Sequence, residues 1–357
     1  MSPTTVTADP PRTTPTETPA PPRRLTPALA LGAPALILLV VAIAAISLGP
    51  VTVPWGQVLQ AFTDSDAPYA ALVRDVRTPR VLVAALVGAA LAVTGAVLQA
   101  VFRNPLADPG ITGVASGAAV GAVTVLVTGV SILGAATLPV GAFAGAAVTT
   151  LVLLAVARLR QDTSLVTFVL VGITLGSFCS ALTAALTANA PEDSAVRSVM
   201  FWINGDLTAR TWSDVALCTA PILLGVAVLL SRHHVLDVLL LGEQTATSMG
   251  VDVRRQQLVL LLTCALVTGA AVAVSGVIAF VGLVVPHAVR LLIGPRHVLL
   301  LPASVCTGAA FLILADLGAR LLFDPVVLQT GTVAALVGSP LFGYLVLRRS
   351  GAQGGLA

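Results

Sequence analysis

Ser231–Arg255, SRHHVLDVLLLGEQTATSMGVDVRR, is the longest polar interruption in the second half of an otherwise apolar chain. It opens on Arg232 and two histidines and closes on Arg254 and Arg255. Leu239, Leu240 and Leu241 give it an apolar face. Gly242 and Gly250 bracket GEQTATSMG, enough for about two short helical turns. A connector between membrane spans needs only a few polar residues, so this stretch is built like a docking surface, although a long solvated loop fits the same composition. The runs on either side of it, 215–231 and 256–289, carry no Asp, Glu, Lys or Arg. Segments of that kind cross a bilayer.

The whole chain agrees. It is 57% hydrophobic and 10% charged, where a soluble protein has roughly 25% charged residues. This is the composition of an all-α polytopic membrane protein. All 19 basic residues are arginine. Without a lysine the chain can carry neither a P-loop nor a Schiff-base mechanism. If nucleotide hydrolysis drives the protein, another chain supplies it. The net charge of +3 points to no nucleic-acid partner. Cys179, Cys218, Cys264 and Cys306 stand singly in or beside apolar runs, where cysteine behaves as a small hydrophobe. They form no disulfide framework and no metal spacing.

Residues 1–27 hold eight Thr and eight Pro and read as a disordered tail, since such a segment cannot bury a core. Residues 28–49 then give 22 uncharged residues, longer than the apolar region of a cleaved signal peptide. Hydropathy along the rest divides the chain into ten expected spans: 28–49, 81–101, 111–128, 135–157, 165–190, 214–231, 256–275, 277–292, 298–316 and 325–347. The 256–289 run is expected to break near Ser275–Gly276 in a very tight turn. With the N-terminus inside, 12 arginines fall on the cytoplasmic side and 6 outside, Arg290 lying at a cytoplasmic membrane edge. This is the positive-inside bias, and it places Ser231–Arg255 and both termini in the cytoplasm. ALAVTG at Ala90–Gly95 and AVAVSG at Ala271–Gly276 are each followed, ten residues after the glycine, by Pro105 and Pro286. Five spans apart, the copies would form an inverted internal repeat, a transporter feature.

No Asp, Glu, Lys or Arg falls mid-span. Ion-coupled carriers need groups that change charge at membrane depth, so this pattern counts against a secondary transporter. His287, after Pro286, reads as a helix-end hydrogen-bonding residue. There is no HExxH and no GxSG for intramembrane hydrolysis. Glycines such as Gly88, Gly95, Gly113, Gly117, Gly121, Gly141, Gly145, Gly172 and Gly176 let helix backbones approach closely. The result is a compact bundle without a charged conduit.

Gly95–Gly117, GAVLQAVFRNPLADPGITGVASG, strongly resembles the motif after the second span in permeases for iron–siderophores, haem and vitamin B12, the large-substrate (type II) ABC importers. Further matches follow in order: Arg77-Thr-Pro-Arg80, LVGITLG at Leu170–Gly176, FWINGDLTARTW at Phe201–Trp212 and LGEQTATSMGV at Leu241–Val251. SGVIAFVGLVVPHAVR at Ser275–Arg290, Asp316 with Arg320, and Gly338-Ser-Pro-Leu-Phe342 complete the set. The resemblance runs from about 28 to 349 and implies a ten-span permease domain there, with a short cytoplasmic tail at 350–357.

It also implies partners: a second permease, identical or sister, two ABC ATPase subunits that bind ATP and Mg, and an extracytoplasmic siderophore-binding protein. No cofactor or metal is implied in this chain, and the surroundings are the lipid of a cell membrane. By resemblance Leu239, Gly242, Glu243, Ala246, Met249 and Gly250 couple to the ATPase. Arg77, Arg80 and Arg320 receive acidic residues of the binding protein; a flank capping the interface, or a local Asp316–Arg320 salt bridge, fits them too. Asn104, Leu106, Thr163 and Ser164 match the cytoplasmic gate, though Asn104 could merely form a turn and Thr163 and Ser164 merely cap a helix. The chain departs from the family at Val327–Gly331, where Glu-x-Pro is usual, and at Gly205-Asp206, where Gly-Ser is usual. Both bear on docking and cargo choice. The implied function is non-enzymatic: passage of ferric siderophores by alternating access, with vitamin B12 or haem as the alternative cargo.

Overall fold

The computed structural model describes residues 26–159, 165–322 and 328–353. The tail expected to be disordered falls almost wholly outside them, as do Thr163 and Ser164. The described residues form fourteen α-helices: α1 (Pro27–Ser47), α2 (Trp55–Thr63), α3 (Thr78–Val101), α4 (Val114–Thr128), α5 (Thr137–Leu159), α6 (Leu165–Ala188), α7 (Asp193–Ile203), α8 (Trp212–Ser231), α9 (His233–Leu239), α10 (Glu243–Ser248), α11 (Val253–Ser275), α12 (Val281–Ile293), α13 (His297–Leu321) and α14 (Thr330–Gln353). Seven helical stretches are long and apolar enough to cross a membrane, among them Leu72–Val101, which joins a π-helical turn to α3. Three shorter apolar helices, Val114–Thr128, Val281–Ile293 and Thr330–Leu345, accompany them. Each of the ten stretches read from hydropathy coincides with one of these ten.

The centre of the bundle is α3, surrounded by α13, α11, α12 and α8. Its residues Val83–Leu98 are almost all inaccessible. Alanine, glycine and valine dominate it, and that composition lets four neighbours crowd one axis. At Gly95 a Cβ would collide with the Gly282 carbonyl of α12, and at Gly88 with the Gly308 carbonyl of α13. Peripheral helices, α1 and α6, keep Leu and Ile outward, as helices facing lipid do.

Three boundaries differ from the hydropathy reading for physical reasons. The second apolar stretch begins at Leu72, not 81, because Arg77, on backbone carbonyls, and Arg80, on Asp316, are satisfied inside the protein and do not end the helix. The break after Ser275 is not a tight turn but an extended segment, 276–280, before α12. Backbone bonds fix the chain around it: Asp206 N–H donates to the carbonyl of Ser275, the last residue of α11, at 2.9 Å, and Gly331 N–H donates to the Gly205 carbonyl at 2.9 Å. Gly276 turns there at φ +70 with the Trp202 carbonyl against it, where no Cβ would fit. The segment 191–213, expected to be loop, contains α7. Val199 and Trp202 form its buried face. Thr211 and Asp214 then close a capping box on α8, with both Thr211 donors 2.8–2.9 Å from Asp214 Oδ2.

The two hexapeptides of the suspected repeat lie on α3 and α11, helices that pack against each other. Their final glycines are not equivalent: Gly95 lies inside α3, whereas Gly276 ends α11.

Candidate functional site

At one end of the bundle the opening polar stretch forms an exposed helical elbow. In α9, Leu236 and Leu239 are buried and anchor it to the core. Gly242, at φ +106, reverses the chain into α10, a conformation L-residues avoid. Within α10 only Ala246 is buried. Glu243, Gln244, Thr245, Thr247 and Ser248 face outward, joined by the exposed Leu241 and Met249. Gly250, at φ +82, turns the chain out again with open space around it. Asp252 then accepts from Arg255 N–H at 3.0 Å and starts α11. The elbow is thus pinned by three apolar side chains, Leu236, Leu239 and Ala246, and shows a mixed polar and apolar face, the chemistry of a protein-docking knob.

The loop after α3 flanks it. Arg103 adopts φ +48, and Asn104 Oδ1 accepts from Leu106 N–H at 2.9 Å, an Asx turn that leaves Leu106 exposed. A cavity of about 1270 Å³ brings together Arg103, Leu165, Glu243, Asp252, Arg254 and Gln257. The chain beside each expected gate pair therefore borders the space beside α10, although Thr163 and Ser164 themselves lie outside the described residues. Glu243 also accepts from Gln257 Nε2 at 3.3 Å.

A second joint ties the elbow to α13. Asp237 of α9 meets both the backbone N–H of His297 (3.0 Å) and its Nδ1 (2.6 Å), and the His297 side chain is fully buried. Sequence reading passed over this pair, because Asp237 sits 60 residues away. Nearby, Arg290 reaches Gln99 Oε1 at 3.1 Å, and Gln99 Nε2 donates to the carbonyls of Gly282 and Leu283. His287 is buried edge-on to Phe342, 6.1 Å between centroids.

The opposite end holds the three arginines expected at an outer docking face. The structure gathers them, but turned inward. Arg77 donates to the carbonyls of Ile46 (2.7 Å), Ser47 (2.8 Å) and Val51, closing the C-terminal end of α1. Arg80 grips Asp316 through Nε (3.0 Å) and Nη2 (2.8 Å). Arg320 lies 3.3 Å from the other carboxylate oxygen and reaches the Ala45 carbonyl. Thr330 Oγ1 donates to Asp316 at 2.9 Å. The local Asp316–Arg320 bridge is therefore present, and Arg80 completes it from 236 residues away. All three arginines are at most 6% exposed, so in this arrangement no guanidinium is free to receive an outside carboxylate. The cluster instead ties α1, α3, α13 and α14 together.

Between these ends a cavity of about 910 Å³ lies among α4, α6 and α7. A second, of about 610 Å³, lies between α14 and the 276–280 segment. Ile203 and Val277 border both. Together they give the bundle a shallow, mostly apolar wall that ends near Asp193 and Asn204.

A model of the FecCD transport family matches residues 37–348. The chain is similar to the cobalamin import system permease protein BtuC of Halobacterium salinarum, 43% identical over 280 residues, covering 78% of this chain and 74% of that one. It is similar to the Fe(3+) dicitrate transport system permease protein FecD of Escherichia coli, 38% identical over 310 residues, 86% and 94% of the two chains. A solved structure of an inward-facing metal-chelate type ABC transporter superposes with a TM-score of 0.81 at 31% identity, covering 89% of this chain and 98% of that one.

Proposed function

This chain belongs to the FecCD transport family, and on that premise we propose that it carries ferric siderophores inward as one permease subunit of an ATP-driven importer. It is a multi-pass membrane permease of an ABC importer for metal chelates, a transport subunit. In the finer reading the ten apolar helices are ten spans, with both termini and the α9–α10 elbow in the cytoplasm. Two ATPase subunits, which bind ATP and Mg, seat α10 in a cleft that moves when it closes on nucleotide. A second permease, identical or sister, completes the pathway. A binding protein delivers the chelate to the end that carries α7, where Arg77, Arg80 and Arg320 brace the docking face from beneath.

The observation that carries the coupling reading is the elbow itself. Two buried residues, Leu239 and Ala246, hold a segment whose other side chains are presented to a partner. A helix used only as a connector would not need two left-handed glycines to set its angle. Cobalamin is the second cargo reading, favoured by the identity to the halobacterial permease; haem is the third. Uptake of iron from a panel of labelled ferric siderophores, with labelled cobalamin and haem alongside, tests this in cells with and without the chain. Loss of one siderophore class on deletion supports the proposal. Retained iron uptake with lost cobalamin or haem uptake replaces the cargo and keeps the machine.

A further inference from the structure

The cavity among α4, α6 and α7 has a chemistry that bears on which cargo passes. Its polar lining is Ser116, Ser180, Thr183, Thr187 and Asp193; the rest is Ala, Gly, Val, Met and Ile. Among the described residues that line it there is no cation, and Asp193 is its single charge. The adjoining cavity adds Asn204, Thr332 and Ser339 and no charge at all. The cavity among α4, α6 and α7, of about 910 Å³, suits a bulky small molecule.

Thr183 stands out from the other helical threonines. Thr94, Thr124, Thr150, Thr174 and Thr187 each return their hydroxyl to the carbonyl four residues back. Thr183 is 7% exposed, lines the cavity, and its hydroxyl has no partner. A buried hydroxyl without a bond is unfavourable; its oxygen is closed off in this rotamer, and a turn of the side chain toward the cavity it lines would let a cargo amide or hydroxamate oxygen relieve it. The hydroxyls beside it can donate or accept as the cargo requires.

We infer that this cavity faces the cargo and selects uncharged, amide- or hydroxamate-bearing chelates, with Thr183 supplying a specific hydrogen bond. The inference rests on the importer reading above. Its logic is electrostatic. A polyanion pressed against this wall loses water, finds no cation, and meets the Asp193 carboxylate. In a ferric tris-hydroxamate three single negative charges cancel Fe(III). The carboxamides around a corrinoid ring are likewise neutral. Ferric dicitrate and a ferric tris-catecholate remain anionic, and haem keeps two propionates.

The test is uptake by cells bearing the intact transporter, with and without this chain, before and after ATP depletion. The probes are a neutral ferric tris-hydroxamate, ferric dicitrate, a ferric tris-catecholate and cyanocobalamin, all labelled. Chain-dependent uptake is expected for the hydroxamate or the corrinoid at a rate at least about tenfold above the two anionic chelates, the ratio one unpaired charge readily imposes. Thr183→Val keeps the shape and removes the hydroxyl. It should raise the half-saturating concentration about two- to tenfold, one hydrogen bond's worth, at unchanged maximal rate and membrane level, and Thr183→Ser should restore it. Equal import of an anionic chelate overturns the charge selection and leaves the importer standing. An unchanged half-saturation in Thr183→Val overturns the role of Thr183. Absence of ATP-dependent, chain-dependent uptake of every probe removes the importer reading itself.

Discussion

Replacing Asp316 by alanine should unfold this protein from the end that carries the arginines. Asp316 is 1% exposed and accepts from Arg80, Arg320 and Thr330. Its removal leaves two guanidiniums, each about 6% exposed, with no counter-charge. Breaking a buried pair in this way costs about 3–5 kcal/mol. A chain of 357 residues has an unfolding entropy of about 0.75 kcal/mol/K by per-residue scaling, so the midpoint should fall about 4–7 °C. Cys179, Cys218 and Cys264 are buried, and a thiol-reactive dye in detergent will report when the bundle opens. Asp316→Asn keeps the shape and should fall less. The triple change Arg80→Met, Asp316→Leu, Arg320→Met removes the charges together and should recover most of the loss, because the desolvation cost disappears with the attraction. If Asp316→Ala melts within about 1 °C of the wild type, or the triple variant melts as low as the single one, the cluster is not what ties α1, α3, α13 and α14 together. The arginines would then be free to turn outward.

Substitutions at four further positions probe the rest of the molecule. Gly95→Leu drives a side chain into the Gly282 carbonyl; overpacking of this kind costs about 1–3 kcal/mol or more, and size-exclusion profiles should show less monodisperse protein. Glu243→Arg and Gly250→Trp should leave the amount of protein in the membrane unchanged and abolish uptake. The space at Gly250 is open, so its loss would be felt by the partner, beyond about 1–2 kcal/mol for the left-handed backbone; normal uptake by both variants would sink the coupling role. Asp237→Ala orphans the buried His297 ring and should cost about 1–3 kcal/mol, read in the same dye melt, with Asp237→Asn milder; equal melting of all three proteins would show that the joint carries no load.

What could be read from the sequence follows from the range of the forces involved. Hydropathy is a local property, so every apolar stretch of sufficient length announced its helix. The elbow at 239–250 was legible for the same reason, as polarity where the surroundings have none, and Gly242 and Gly250 marked its turns. What stayed hidden depended on partners far along the chain. Arg80 looked like the outer boundary of a span because a lone arginine belongs in water, yet Asp316 makes it an interior residue and lengthens the helix to Leu72. For Arg77, Arg80 and Arg320 the sequence left docking, a capping flank and a local Asp316–Arg320 bridge side by side, and only the fold brings Arg80 to that bridge. α7 was hidden because a short helix with a narrow buried face, Val199 and Trp202, resembles a loop when no long apolar run accompanies it. The turn after Ser275 was misjudged because the Trp202 carbonyl against Gly276 and the Asp206 N–H on the Ser275 carbonyl come from a distant stretch, which hydropathy cannot place beside it. Tertiary pairing thus decides which charges mark a boundary and which mark a joint. Here two such joints, His297 with Asp237 and Asp316 with Arg80, fall near opposite ends of one helix, α13. Nineteen residues separate them, a rise of about 28 Å, so α13 carries charged groups only near its ends, where it is fastened, and none along the stretch between.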